Sequence, residues 1–159
     1  MRTSAGILLY RCPPDAAANP GSAVEVWIAH MGGPFWARKE EHAWSVPKGE
    51  FTPPEEPLTA ALREFAEEMG WPAPAAGYAL LGTFRQSSAK AITVFAAAAD
   101  FPAREVRSNT FVLEWPAGSG TLREFPEVDR AGWFPLEEAR AKLVRGQAQV
   151  LDALLLRLG

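Results

Sequence analysis

The sequence predicts an α/β (α+β) protein, a mixed β-sheet held between helices, and three observations predict it. Short β-branched and aromatic runs at 4–11, 24–30 and 91–99 are separated by clusters of Pro, Gly and Asn, the punctuation expected between strands. The stretch 56–70 carries Leu58, Leu62, Phe65 and Met69 at helical spacing. Leu-rich segments at 136–145 and 147–158 supply two further helices. Strands interleaved with amphipathic helices bury both apolar faces by layering helices on a sheet.

Each element has a local reason. Residues 4–11 form a first strand, and 13–22 a turn-rich loop holding Pro, Asn and Gly. Residues 24–30 are a second strand and 44–46 a short third, joined by a loop at 31–43 with Gly32, Gly33, Pro34 and Trp36. Gly49, after Pro47 and Lys48, reads as a tight turn from that strand into a loop. Pro57 suits the first turn of the following helix. Gly70 stands where a left-handed cap belongs, with Pro72 blocking continuation. Residues 78–85 and 91–99 form another strand pair, 109–115 a further strand, 116–121 a loop and 132–134 a brief strand. No repeat or interdomain linker interrupts the order, so residues 1–159 are expected to form one domain.

Composition narrows the function classes. Apolar residues make up 48% of the chain, with six Trp and nine Phe, which excludes disorder. A net charge of −3 gives no electrostatic footprint for duplex nucleic acid. Cys12 is the only cysteine, which excludes an intramolecular disulfide and points to a reducing compartment. The apolar run 5–10 is not followed by a signal-peptide pattern. No stretch approaches the roughly twenty apolar residues of a membrane span. A cytoplasmic protein without a membrane partner is expected.

The helix at 56–70 carries the chemistry. At 100° per residue, with Glu64 as zero, Glu67 falls at about 300° and Glu68 at about 40°. The apolar stripe falls nearly opposite, so one face suits a core and the other something positively charged. Ionised carboxylates this close repel one another, and a hard divalent cation with oxygen ligands, Mg²⁺ or Mn²⁺, relieves the repulsion. An E-x-x-E-E run alone is usually a solvated acidic face; here Gly49, Pro57, Gly70 and Arg63 change the odds. Arg63 can reach back to Glu55 as a bidentate partner that ties the preceding loop to the helix.

Residues 49–71 resemble in full the signature of the Nudix hydrolases, G-x5-E-x7-R-E-U-x-E-E-x-G-U, with Phe65 and Trp71 at the bulky apolar positions. The order of strands and helices around the motif is also like the family's, which implies a Nudix-type α/β/α sandwich. The resemblance implies a pyrophosphohydrolase: divalent-metal-dependent hydrolysis of a phosphoanhydride in a nucleoside diphosphate linked to another group. It implies that Glu64, Glu67 and Glu68 are metal ligands and catalytic groups, joined by the backbone carbonyl of Lys48. Gly49, Glu55, Arg63 and Gly70 are then structural supports. A glutamate outside the motif often completes such a site. Glu127, six residues before Trp133, matches the spacing of a loop glutamate ahead of a W-F strand, with Glu124 as runner-up.

Substrate choice rests on weaker features. Lys48 in P-K-G-E, in place of the commoner P-G-G, looks like the diadenosine polyphosphate and diphosphoinositol polyphosphate hydrolases. Lys48, Arg38, Lys39 and Lys90 are candidates for phosphate contact, and Trp36, Trp44, Phe35 and Trp115 for stacking on a base. Against this, Ser88 lies near where dinucleoside-polyphosphate hydrolases carry a tyrosine. Gln86 lies where ADP-ribose hydrolases carry a proline, and the NADH-hydrolase string is absent. A dinucleoside polyphosphate or a nucleoside triphosphate is the expected substrate. A catalytically silent Nudix-type nucleotide sensor is the alternative, disfavoured because every motif glutamate is present. A carboxylate-bridged redox protein is excluded, because neither His30 nor His42 sits in an E-x-x-H helix. Relatives often dimerise, so a homodimer is compatible with the resemblance, though no interface is legible in the sequence.

Overall fold

The structure, a computed structural model, describes residues 1–12, 24–102 and 105–159. The loop expected at 13–22 lies outside the described residues. In chain order the first half gives β1 (Arg2–Arg11), β2 (Glu25–Met31), β3 (Trp44–Ser45), β4 (Lys48–Glu50) and α1 (Pro57–Met69). The second half gives β5 (Ala79–Ser87), β6 (Lys90–Ala98), β7 (Thr110–Glu114), β8 (Leu122–Pro126) and β9 (Val128–Pro135). Then follow α2 (Leu136–Lys142), a 3-10 turn at Arg145–Gln147 and α3 (Ala148–Leu158).

β1 is the hub of a mixed sheet ordered β3-β2-β1-β6-β5, with β4 also on β1 and β9 on β2. It runs parallel to β6 from Arg2↔Lys90 to Tyr10↔Ala98. On its other side it changes partner along its length, pairing antiparallel with β4 at Ala5↔Gly49 and with β2 at Tyr10↔Val26. Side chains of successive strand residues alternate between faces. Leu8, Val26 and Ile28 therefore join Val150, Leu151 and Leu154 of α3 in one core. Ile7, Leu9 and Trp27 join Ala60, Ala61, Phe65 and Met69 of α1 in a second core on the opposite face. Helices thus cover both faces, in the α/β/α arrangement the sequence predicts.

The helix α1 shows how locally this is encoded. Pro57 opens its first turn, and Gly70 closes it in the left-handed region at φ 77°, its amide donating to Ala66 O at 2.8 Å. Phe65 is fully buried, which stabilises the fold by about 1.5–3 kcal/mol relative to exposure. Trp27 Nε1 donates to Met69 Sδ at 3.2 Å, fixing the end of the helix against β2.

Several expectations need correction. Gly49 is not a turn: Lys48–Glu50 is a strand, formed because β1 offers an open ladder there. Leu122–Pro126, to which the sequence reading assigns no element, pairs with β7 as a separate two-stranded sheet. The brief strand at 132–134 extends over Val128–Pro135, because it pairs along the whole of β2. The helix expected at 136–145 ends at Lys142, where Leu143 turns extended and bridges Trp44. The carboxylate face of α1 is partly buried against the sheet and is no plain solvated acidic face, as the sequence reading has it. Ala60, Ala61 and Glu68 are all buried, since the small alanines let the helix approach the sheet closely.

Candidate active site

Close approach of α1 to β1 and β4 builds the site. A Cβ at Gly49 would lie 2.0 Å from Cδ and Oε2 of Glu64, so the Glu64 carboxyl occupies the space a side chain would fill. One turn on, the Lys48 amide donates to Glu68 Oε1 at 3.1 Å. Burial pushes the Glu68 carboxyl up to about 8; the Lys48 charge and amide oppose this, while Glu127 and Glu64 add to it. Burial likewise raises Glu64, against the hydrogen bond from Arg63.

Arg63 threads between the acids. Its Nε and Nη2 donate to the two oxygens of Glu55 at 2.8 and 2.9 Å, the fork-on-carboxylate geometry expected of this pair. Its Nη1 also donates to Glu64 Oε1 at 2.8 Å and to Glu67 Oε2 at 3.2 Å. The hydrogen bonds from the guanidinium lower the Glu55 carboxyl from its ordinary value, and the guanidinium's own pKa is raised by those bonds and the one to Glu64.

Glu127 reaches the site from the turn between β8 and β9. Its amide donates to Asn109 O at 2.8 Å and its carbonyl accepts from Gly32 N at 2.9 Å. Asn109 in turn donates its amide to Glu67 O at 2.9 Å, so the backbone of α1 holds the Glu127 turn through one intermediary. Partial burial raises the Glu127 carboxyl, with Lys48 lowering it and Glu67 raising it.

Two adjoining cavities record the result. One, of about 390 Å³, is lined by Ser4, Lys48, Gly49, Glu50, Glu64, Glu68, Gln86, Lys90 and Glu127 among others. The second, of about 650 Å³, shares Lys48, Glu68, Lys90 and Glu127 and extends to Met31, Gly32, Trp36 and Phe111. Acidic and basic groups thus share one groove, a combination suited to anionic phosphates approached through cations. Oxygen-only donors of this kind suit a hard divalent ion. The donors are not pre-gathered, however: among the described residues no three His, Cys, Asp or Glu side chains form a closed metal cluster. Arg63 holds an oxygen each of Glu64 and Glu67 instead.

The other expected positions divide. Trp36 lines the larger cavity, whereas Arg38 and Lys39 are exposed and line neither; Lys39 Nζ lies 5.5 Å from the Trp36 ring centre. Glu124 is exposed on β8 and lines neither cavity. Trp44 cannot stack on a base: it is buried, edge-on to His30 and Phe134. Phe35 and Trp115 pack edge-on against each other at 5.4 Å, and neither lines the groove. Ser4, Glu50, Gln86 and Phe111 were not singled out as site residues. They arrive through long-range pairing of β1, β4, β5 and β7, which leaves no local sequence signal.

Comparison with known proteins places the fold. A family model described as the NUDIX domain matches residues 19–154. Comparison with curated proteins found no match. The Caenorhabditis elegans Ap4A hydrolase, solved as a binary complex, is similar at 19% identity and TM-score 0.65, covering 99% of this chain and 98% of that one. The NUDIX domain of Shewanella oneidensis NrtR, solved with ADP ribose, is similar at 15% identity and TM-score 0.63, covering 99% and 88%. The C-terminal domain of mouse MUTYH, solved with human PCNA, is similar at 19% identity and TM-score 0.59, covering 97% and 87%. These likenesses establish a shared fold across proteins with different ligands and partners. With the family model spanning most of its length, this chain belongs to the Nudix family.

Proposed function

We propose that the protein is a divalent-metal-dependent pyrophosphohydrolase that cleaves a phosphoanhydride in a nucleoside diphosphate-linked substrate, a dinucleoside polyphosphate or a nucleoside triphosphate. The observation that carries this reading is the buried Glu68 carboxyl, which shares one groove with Glu64, Glu127 and two lysines. A carboxyl in that setting resists ionisation unless a cation is supplied.

Glu64, Glu67 and Glu68, with the Lys48 carbonyl, would hold Mg²⁺ or Mn²⁺, which when bound neutralises phosphate oxygens and acidifies water. The chain's own groups supply the rest. Lys48 and Lys90 offer ammonium groups on the groove wall for the polyphosphate chain. Arg63, fixed by Glu55, holds one oxygen each of Glu64 and Glu67 and so sets the orientation of both acids. Glu127, with its raised carboxyl at the groove wall, is suited to take up a proton. The exposed Cys12 suits a reducing, cytoplasmic setting.

The test is product release from a panel of nucleotides with Mg²⁺ or Mn²⁺, with and without chelator. The panel spans nucleoside triphosphates, oxidised purine nucleotides, diadenosine polyphosphates, ADP-ribose and diphosphoinositol phosphates. Chelator-sensitive cleavage of one group supports the reading and names the substrate. Silence across the panel, from folded protein that binds metal, overturns it in favour of a nucleotide-sensing module.

A further inference from the structure

His30, near the end of β2, is fully buried, and the chemistry of the acidic groove makes no use of it. Both of its ring nitrogens meet acceptors. Nδ1 lies 2.7 Å from Asp129 Oδ1, and Nε2 lies 2.7 Å from the carbonyl oxygen of Lys39. A neutral imidazole has a single N–H and can satisfy only one of them. The other contact would then set lone pair against lone pair at hydrogen-bond distance. Both bonds are made when each nitrogen carries a hydrogen, which is the imidazolium form. A charge in the interior needs a partner, and the Asp129 carboxylate supplies one.

The backbone brings this pair together. The β2–β9 ladder slips between His30, opposite Arg130, and Met31, opposite Val128. Asp129 is thus the extra residue of a bulge, a feature that re-aims side chains. Lys39 closes a turn in which its amide donates to Trp36 O at 3.0 Å and the Trp36 amide to Gly33 O at 3.3 Å. The two partners of His30 therefore belong to the two segments that wall the larger cavity. Met31, Gly32 and Trp36 come from one, and Glu127 and Val128 from the other. The remaining charges near the ring are engaged elsewhere. Arg130 and Lys142 share Glu40, which also accepts from Trp44 Nε1. Hydrogen bonding, that of Arg130 first, lowers Glu40 to about 2, so it stays ionised. Arg130 Nε stands 3.9 Å from Asp129 Oδ1, and Trp44 meets His30 edge-on. His42 pairs its Nδ1 with Leu143 O at 2.9 Å, Lys39 Nζ lies over the Trp36 ring, and Glu41 is exposed. Asp129 is the anion bonded to the ring.

We propose that His30 is a positioning residue: a doubly donating imidazolium that latches the β2–β3 loop to the strand leaving the Glu127 turn. When the ring gives up one hydrogen, one of the two bonds must go, and the walls of the larger cavity lose their tie. Charge-assisted bonds at this distance are the strong ones, so their loss is felt. The latch stands on the ring's contacts alone. Its effect on turnover rests on reading that cavity as part of the hydrolase site.

Nuclear magnetic resonance of protein labelled with ¹⁵N-histidine tests this, together with amide hydrogen exchange, both without substrate. His42→Asn leaves one histidine and suits the left-handed backbone at φ 55°. In that background at neutral pH, both ring nitrogens of His30 are expected to carry hydrogen. Raising the pH should remove one, and exchange protection at the Trp36 and Lys39 amides should fall in the same step. Asp129→Asn keeps an acceptor, removes the charge and changes a partly exposed side chain, so the fold should survive. It should leave the ring with one hydrogen at neutral pH and speed exchange at those two amides about 10-fold or more. On the substrate found by the nucleotide panel, the same variant should raise KM with little change in kcat. A ring with one hydrogen in the wild type at neutral pH, or loop protection indifferent to the ring's state, overturns the latch. A fall in kcat at constant KM overturns its role in positioning the cavity walls. Silence across the panel overturns the hydrolase reading and leaves the resonance and exchange results to decide the latch.

Discussion

Glu64 stands where a side chain at position 49 would be: the missing Cβ of Gly49 would lie 2.0 Å from its carboxyl. Gly49 sits in β4, opposite Ala5 of β1, and is not among the glycines in the left-handed region. Backbone freedom is therefore not what the position requires. It requires absence of bulk, so that α1 can present an acid against the strand.

Gly49→Ala follows from that contact. The strand tolerates alanine, and the obstructing group is the far end of a flexible side chain, so Tm should change little. The Glu64 carboxyl must move aside, and kcat/KM should fall about 10-fold or more, as when a group supporting a metal site is lost. Steady-state kinetics beside a thermal melt checks this. Wild-type turnover in the variant would mean that the placement of Glu64 does not matter.

Arg63→Ala should weaken both fold and turnover. The guanidinium is partly exposed and screened, so the stability loss should be about 1 kcal/mol, or about 2–4 °C in Tm. Activity should fall further than that loss explains, because Glu64 and Glu67 lose the same partner. An unchanged Tm would contradict its role in tying Glu55 to the helix.

Much of this was legible in the sequence. Pro57 and Gly70 bracket α1, and the E-x-x-E-E spacing places the acids, because all three signals are local. The Arg63–Glu55 pair spans one loop and a helical turn, and it too could be read. β4 could not: Lys-Gly-Glu has no strand pattern and becomes a strand only by pairing with β1. β8 is largely exposed, so Leu122–Pro126 lacks the alternating burial that marks a strand. Trp44 illustrates the opposite error, since an aromatic near a motif looks like a ligand platform until its neighbours are seen. Glu127 was found only through the family resemblance, because its link to Glu67 runs through the backbone of Asn109.

Gln147 had no sequence signal at all. It is fully buried, its Oε1 accepting from Val46 N at 2.9 Å and its Nε2 donating to Ser45 Oγ at 3.0 Å. Gln147→Ala orphans a buried amide and should cost about 1–3 kcal/mol. Thermal unfolding reads this directly, and a Tm matching wild type would show that the amide finds another partner.

The pH dependence of metal-free stability has a defined sign. Glu68 is raised from 4.5 to about 8, so between those values the folded protein keeps a proton that the unfolded chain has released. The stability linked to that proton is full below about pH 4.5 and is lost as pH rises through about 8. Glu68→Gln removes this component, so the Tm of wild type relative to the variant should fall between about pH 5 and about pH 8. A parallel pair of Tm curves would contradict the burial of an ionisable group there. Metal binding to the wild type should release a proton over the same range, measurable by calorimetry in buffers of different ionisation enthalpy.

The most direct test of the account is turnover by Glu68→Gln on the substrate that the nucleotide panel identifies, with fold and metal dependence measured on the same sample. The account predicts a fall of more than about 100-fold with a native melting transition, as expected when a metal-site carboxylate is removed from an intact fold, and a comparable fall for Glu67→Gln. Near-wild-type hydrolysis by both variants, with unchanged dependence on Mg²⁺ or Mn²⁺, would contradict it.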